Sequence, residues 1–395
     1  MFSKIRTSHH HTIYASYLGY ITQAIVNNIA PLLFIQLQTE FSLTLAQITL
    51  FTTVNFLVQL CVDLASTLFV DRLGYRPCIL AAHLFSAAGF LCMAFLPGLL
   101  PNPYIGLMAA VILYAIGGGL IEVLISPIVE ACPTEGKAGA MSLLHSFYCW
   151  GQMGFVALST LFFVLAGTAS WRLLCCLWTL IPLGNTLYFS LVPIYPIIPD
   201  GQKPMPLRTL LYQKTFWILM LMMLCSGASE LGMSQWASAF AESALHVSKT
   251  VGDLAGPCAF ALTMGVARAI YGKHSERLPL LPSIIASSVL CIVCYMVAAF
   301  IQLPVFGLIG CAVCGFSVGI FWPGTFSVAS ATLPAGGTAM FALLALAGDM
   351  GCTSGPTLVG MIASSSSLHT GLSFAILFPV LMIVGVLLLK RETRK

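Results

Sequence analysis

Twelve apolar stretches run through this chain, and the lysines and arginines of the short polar joints between them fall largely on alternate joints. A helix needs ~20 mainly apolar residues to cross a bilayer core. Segments of that kind lie at about 13–35, 43–70, 78–97, 104–131, 140–166, 171–192, 214–241, 248–272, 279–301, 304–331, 337–363 and 369–389. With the N-terminus in the cytoplasm, 15 of the 17 basic residues fall on the inner side or its edge, and only Arg172 and Lys249 fall outside. One helix more or fewer would scramble that bias, so count and orientation support each other. The chain reads as an all-α polytopic membrane protein of twelve transmembrane helices, with both termini cytoplasmic. Only 8% of its residues are charged, where soluble domains carry about 25%. The net charge of +4 is the positive-inside bias plus a basic tail and needs no nucleic-acid partner.

The first apolar run is too long for a signal-peptide core, holds Gln23, Asn27 and Asn28, and opens a series of equivalent spans, so it is expected to remain as the first helix. The tract His9, His10 and His11 reads as a disordered cytosolic end rather than a metal site. The longest joint, from Pro193 to about Gln213, holds Pro193, Pro196, Pro199, Pro204 and Pro206. Proline cannot continue a helix, so the expected organisation is a six-helix bundle over 1–192, a cytoplasmic linker over 193–213, and a second bundle with a basic tail over 214–395. The halves read as copies. At an offset of 201, Gly106, Gly118, Ser126, Pro133, Gly136 and Gly154 fall on Gly307, Gly319, Ser327, Pro334, Gly337 and Gly355.

The joint after the second helix reads Asp71-Arg72-Leu73-Gly74-Tyr75-Arg76. A carboxylate and guanidinium groups between two helix ends can lock one face in one state and release it in the other. With two six-helix halves joined by a linker, this joint resembles the signature loop of the major facilitator superfamily of secondary transporters, G-x-x-x-D-R-x-G-R-R/K, with Thr67 in place of the opening Gly. The resemblance implies a gating role for Asp71, Arg72, Gly74 and Arg76. The eighth helix carries Gly265-Val266-Ala267-Arg268, a decayed second copy that adds Arg268 to the gating set.

Five segments resemble the bacterial fucose permease-like sugar transporters in particular. They are Gly118-Gly119-Leu120-Ile121-Glu122 with Ser126-Pro127, Asn27-Asn28 with Phe41-Ser42-Leu43-Thr44, Leu143-Leu144-His145-Ser146-Phe147-Tyr148, Phe321-Trp322-Pro323-Gly324-Thr325-Phe326-Ser327, and Gly348-Asp349-Met350-Gly351 with Gly355-Pro356. The resemblance implies a proton-coupled sugar symporter. It also implies a carboxylate on the first helix shortly after the paired Asn, opposite the fourth-helix glutamate. This chain has Pro31 there and no acid in the first span, so either Glu122 works alone or with other partners, or the coupling differs.

Intramembrane acids and amides are costly and must face protein or a water-filled cavity. Glu122 lies near the midplane, and burial without a nearby cation disfavours a carboxylate anion, which suits loading and releasing a proton. It is the first choice for proton coupling, against a permanently neutral, hydrogen-bonded Glu. Gln23 and Asn27 form one polar stripe, and Asn55, Gln59 and Asp63 another, at intervals of four residues. Glu230, followed by Gln235 and Trp236, reads either as a substrate ligand or as interhelical support. Asp349 among glycines leans towards structure, and Asp63 stands open. His145, Tyr148, Cys149 and Gln152 share a face of the fifth helix. Aromatic planes with amides and carboxylates suit a sugar, which makes Trp322 and Trp236 candidates beside Asn28. Cys291, Cys294, Cys311 and Cys314 have zinc-like spacing, but four thiolates on Zn²⁺ would leave a double negative charge among apolar spans, so no metal or cofactor is expected. No nucleophile with base and orienter and no phosphate loop is readable, so the chain is not expected to be an enzyme.

The expected function is proton-coupled symport of a small polar solute, most simply a sugar, by alternating access in the cell membrane. The alternatives are an exporter or antiporter of another small organic solute, and a transporter-like receptor.

Overall fold

The computed structural model describes residues 2–196, 205–237, 249–301 and 303–392. Part of the expected linker (197–204), the end of the expected seventh span (238–241), the start of the eighth (248) and the tail (393–395) lie outside the described residues. The long helices are α1 (His9–Phe41), α2 (Leu45–Leu73), α3 (Tyr75–Leu99), α4 (Pro103–Ala131), α5 (Lys137–Ala166), α6 (Trp171–Leu191), α7 (Lys214–Ser234), α8 (Lys249–His274), α9 (Leu280–Phe300), α10 (Pro304–Val318 then Phe321–Thr332), α11 (Gly337–Ser365) and α12 (Leu368–Ala375 then Leu377–Glu392). Among the described residues, 11 helical stretches are long and apolar enough to cross a membrane, and α8 is the other long helix. No strand occurs among the described residues. The helices turn bulky apolar side chains outwards, among them Ile35, Leu57, Leu68, Leu99, Leu187 and Phe300. Water would not tolerate so much exposed apolar surface on a monomer, and lipid favours it. The chain is a multi-pass membrane protein.

Local chemistry explains the differences from expectation. The histidine tract, expected as a disordered end, is the first turn of α1, and His11 Nδ1 meets Tyr188 Oη at 2.7 Å. The tenth span is interrupted between Val318 and Phe321. Pro323 has no N–H for the Gly319 carbonyl four residues back, so the helical ladder fails there. The interruption between Ala375 and Leu377 has the same cause, since Pro379 cannot serve Ala375.

The chain divides into two compact units, Met1–Pro133 with Trp150–Ile197, and Thr134–Cys149 with Ile198–Lys395. Residues 137–149 of α5 thus fall in the second unit.

In the first unit α4 is the hub, and three consecutive glycines let it be one. A Cβ on Gly117 would meet the Ala82 carbonyl at 2.5 Å and the Ser86 nitrogen at 2.6 Å on α3. One on Gly118 would meet Val26 and Gln23 of α1, and one on Gly119 would meet Val62 of α2. Three neighbouring helices therefore close on α4 one turn before Glu122. Gly117→Ala is expected to lower stability by roughly 1–3 kcal/mol through overpacking against backbone that cannot step aside. Fluorescence melting in detergent checks this, with Gly98→Ala as the matched control, since nothing lies within 4 Å of that position.

Candidate functional site: a buried amide network and a buried ion pair

Closure of α1 and α2 on α4 interlocks the two polar stripes. Gln23 Nε2 donates to Glu122 Oε2 at 3.1 Å and to Gln59 Oε1 at 2.9 Å. Gln59 Nε2 in turn donates to Asn27 Oδ1 at 2.8 Å, and Asn55 Nδ2 reaches the same oxygen at 3.2 Å. Gln23, Asn55 and Gln59 are buried, while Asn27 and Glu122 keep partial access. Asp63, one turn beyond Gln59, is fully buried. Asn28 turns its amide nitrogen to the Ala24 carbonyl and receives Gln152 Nε2 at a long 3.4 Å. Hydrogen bonds across three helices thus link Glu122 to four amides, and the first-helix group that meets it is Gln23, eight residues before Pro31, where the family resemblance implied a carboxylate. Glu122 sits nine residues before the end of α4 at Ala131, or roughly 13 Å along the axis.

The second unit gathers a different set. Arg268 Nη2 meets Glu230 Oε2 at 3.4 Å, Nε donates to the Gly319 carbonyl at 2.9 Å, and Nη1 donates to the His145 carbonyl at 3.1 Å and to Cys149 Sγ at 3.3 Å. Ser142 Oγ donates to the Arg268 carbonyl at 2.8 Å. Arg268, expected at the inner edge as part of a gate, is instead buried two turns inside α8. The Glu230 carboxylate and the carbonyl that Pro323 leaves without a helical donor make that burial tolerable. The sequence pattern did not pair these residues, because they lie 38 positions apart on different helices. A fixed cation deep in an apolar helix was the only signal available.

The remaining candidates divide between the units. Trp322 is buried with its ring against Gly348, where a Cβ would come within 2.2 Å of it, and it makes an edge contact with Phe326 at 6.4 Å between centroids. Phe326 also meets the ring of the buried His145 at 5.9 Å. Asp349 follows Gly348 and is half-buried, as is Tyr148. Gln235 is exposed at the end of α7 beside the half-buried Trp236. The zinc-like cysteines are all buried, with Cys291 Sγ and Cys314 Sγ at 3.9 Å.

In the joint after α2, Asp71 and Arg72 are exposed, and Gly74 adopts φ 88°, a value that L side chains rarely take. Arg76 grips the end of α6, donating to the carbonyls of Phe189 at 2.8 Å, Ser190 at 3.0 Å and Val192 at 2.8 Å. Helix C-termini leave such carbonyls without backbone donors and carry partial negative charge, and Pro193 has no N–H to offer Phe189. Arg76→Ala is expected to destabilise the protein by about 1–3 kcal/mol, which detergent melting would register. Unchanged melting would show that water serves these carbonyls as well.

Lipid-facing helices around buried amides and carboxylates define a polytopic membrane protein. The chain belongs to the Major Facilitator Superfamily, whose family model matches residues 16–342. No individually curated protein sequence matches it. Its fold is similar to that of the E. coli fucose:proton symporter FucP, with a TM-score of 0.82 at 15% identity, over 95% of this chain and 98% of that one. It is also similar to the proton:xylose symporter XylE, at 0.79 and 13% identity over 97% and 95%, and to the human organic anion transporter MFSD10, at 0.74 and 15% identity over 96% and 100%.

Proposed function

We propose that this chain is a secondary active transporter that carries a small polar solute, most simply a sugar, by proton-coupled symport with alternating access. Glu122 is the proton-carrying group. The reading places the protein in the cell membrane with both termini cytoplasmic, and takes the exposed Asp71 and Arg72, with Arg76 anchored on α6, as the gate. The observation that carries it is Glu122 held by the Gln23 amide and linked through Gln59 to Asn27 and Asn55. Each primary amide offers donors and an acceptor, the pairing that sugar hydroxyls need, and a carboxyl held by a neutral amide can exist in either protonation state. The fold similarity to two sugar:proton symporters supports the solute class.

The test is uptake of radiolabelled monosaccharides into proteoliposomes under an imposed inward proton gradient. At least one sugar is expected to accumulate, and a proton ionophore is expected to abolish the accumulation. Accumulation indifferent to the ionophore would remove proton coupling, and a chain that moves no sugar in either direction would remove the solute class.

A further inference from the structure

Arg268 is buried, with 4% of its surface exposed. Holding a fixed cation inside an apolar bundle is costly, and a buried ion pair can often be replaced by apolar side chains without loss of stability. A transporter of neutral sugars therefore gains little from the pair.

The geometry of the guanidinium gives it a use. Its Nε and Nη1 atoms are held by the Gly319 carbonyl, the His145 carbonyl and Cys149 Sγ, at 2.9, 3.1 and 3.3 Å. The first of these acceptors exists because Pro323 breaks the α10 ladder. Backbone thus holds that side of the fork whatever Glu230 does. The Nη2 side meets Glu230 at 3.4 Å, longer than the contacts to Gly319, His145 and Cys149. Glu230 is also the more accessible partner, 15% exposed against 4% for Arg268. A preorganised fork with a carboxylate seated on its outer side at 3.4 Å is suited to exchange that carboxylate for another.

We propose that Arg268 is a carboxylate-binding site and that the solute is a sugar acid of the uronate type. The solute carboxylate takes the place of Glu230 on Nη2, and Glu230, having lost its cation, takes up one proton from water. One anion and one proton enter together, so the unit carries the same net charge before and after binding. This inference rests on the sugar-symport reading above and goes beyond it in solute class and in a second protonation position.

The test compares matched pairs, galactose with galacturonate and glucose with glucuronate, by calorimetry on the purified full-length protein. A pH-indicator dye reads proton uptake in weak buffer. The acid of at least one pair is expected to bind about tenfold tighter than its neutral partner, with close to one proton more taken up per anion than per neutral sugar. Glu230→Gln removes the competitor and is expected to keep or tighten acid binding while the proton uptake at this position disappears. Arg268→Lys retains the charge but loses the fork, and is expected to weaken the acid by a larger factor than its neutral partner. Neutral sugars that bind as tightly as their acids, or acids that take up no more protons than their neutral partners, would overturn the inference and leave the sugar reading standing. If no sugar of either kind binds, both fall.

Discussion

Glu122→Gln is expected to bind solute and exchange it across the membrane, yet to lose accumulation driven by a proton gradient. The amide reproduces the shape and hydrogen bonding of a protonated carboxyl, so Gln23 keeps a partner and the network through Gln59 and Asn27 remains in place. In the proposed cycle the empty carrier returns only after deprotonation, which an amide cannot supply. With one proton per solute, a gradient of about one pH unit supports roughly tenfold accumulation. The variant should fall to equilibration while counterflow continues. Gradient-driven uptake and counterflow in the same proteoliposomes separate the two steps. A variant that still concentrates solute would take the coupling role from Glu122 and pass it to Glu230, Asp63 or Asp349.

The second large effect concerns stability. Arg268→Met is expected to destabilise the folded protein by roughly 3–5 kcal/mol, because it leaves Glu230 as a buried carboxylate without its cation and removes the donor that serves Gly319. Adding Glu230→Leu removes the stranded charge and should restore most of the loss. What remains is the unserved Gly319 carbonyl, worth about 1–3 kcal/mol. Melting of the two variants beside the parent gives the comparison. If the single and double variants melt together, the ion pair does not hold this part of the fold, and Arg268 stabilises through its backbone contacts alone.

Much of the architecture was legible in the chain because lipid imposes simple rules. A helix must satisfy its own backbone and present about 20 apolar residues, so length and hydropathy define spans, and charge bias supplies an expected orientation. The breaks were not read from the sequence, because Pro31, Pro127, Pro182 and Pro356 lie inside unbroken helices. Pro323 and Pro379 each lack the N–H that residues 319 and 375 would have used, and α10 and α12 are interrupted at those places. The periodicity of Gln23 with Asn27, and of Asn55 with Gln59, identified faces that had to avoid lipid.

What the sequence by itself determined is therefore the helical class, the approximate spans and which polar residues needed company. Which company they keep was decided only by tertiary structure. That Gln23 stands against Glu122 depends on Gly117, Gly118 and Gly119 admitting three helices at once. That Arg268 meets Glu230 depends on α5, α7, α8 and the break in α10 meeting at one point. Hydropathy and periodicity record what each helix presents along its own axis. A hydrogen bond or ion pair between helices depends on their separation and relative rotation, which close packing of side chains far apart in sequence sets.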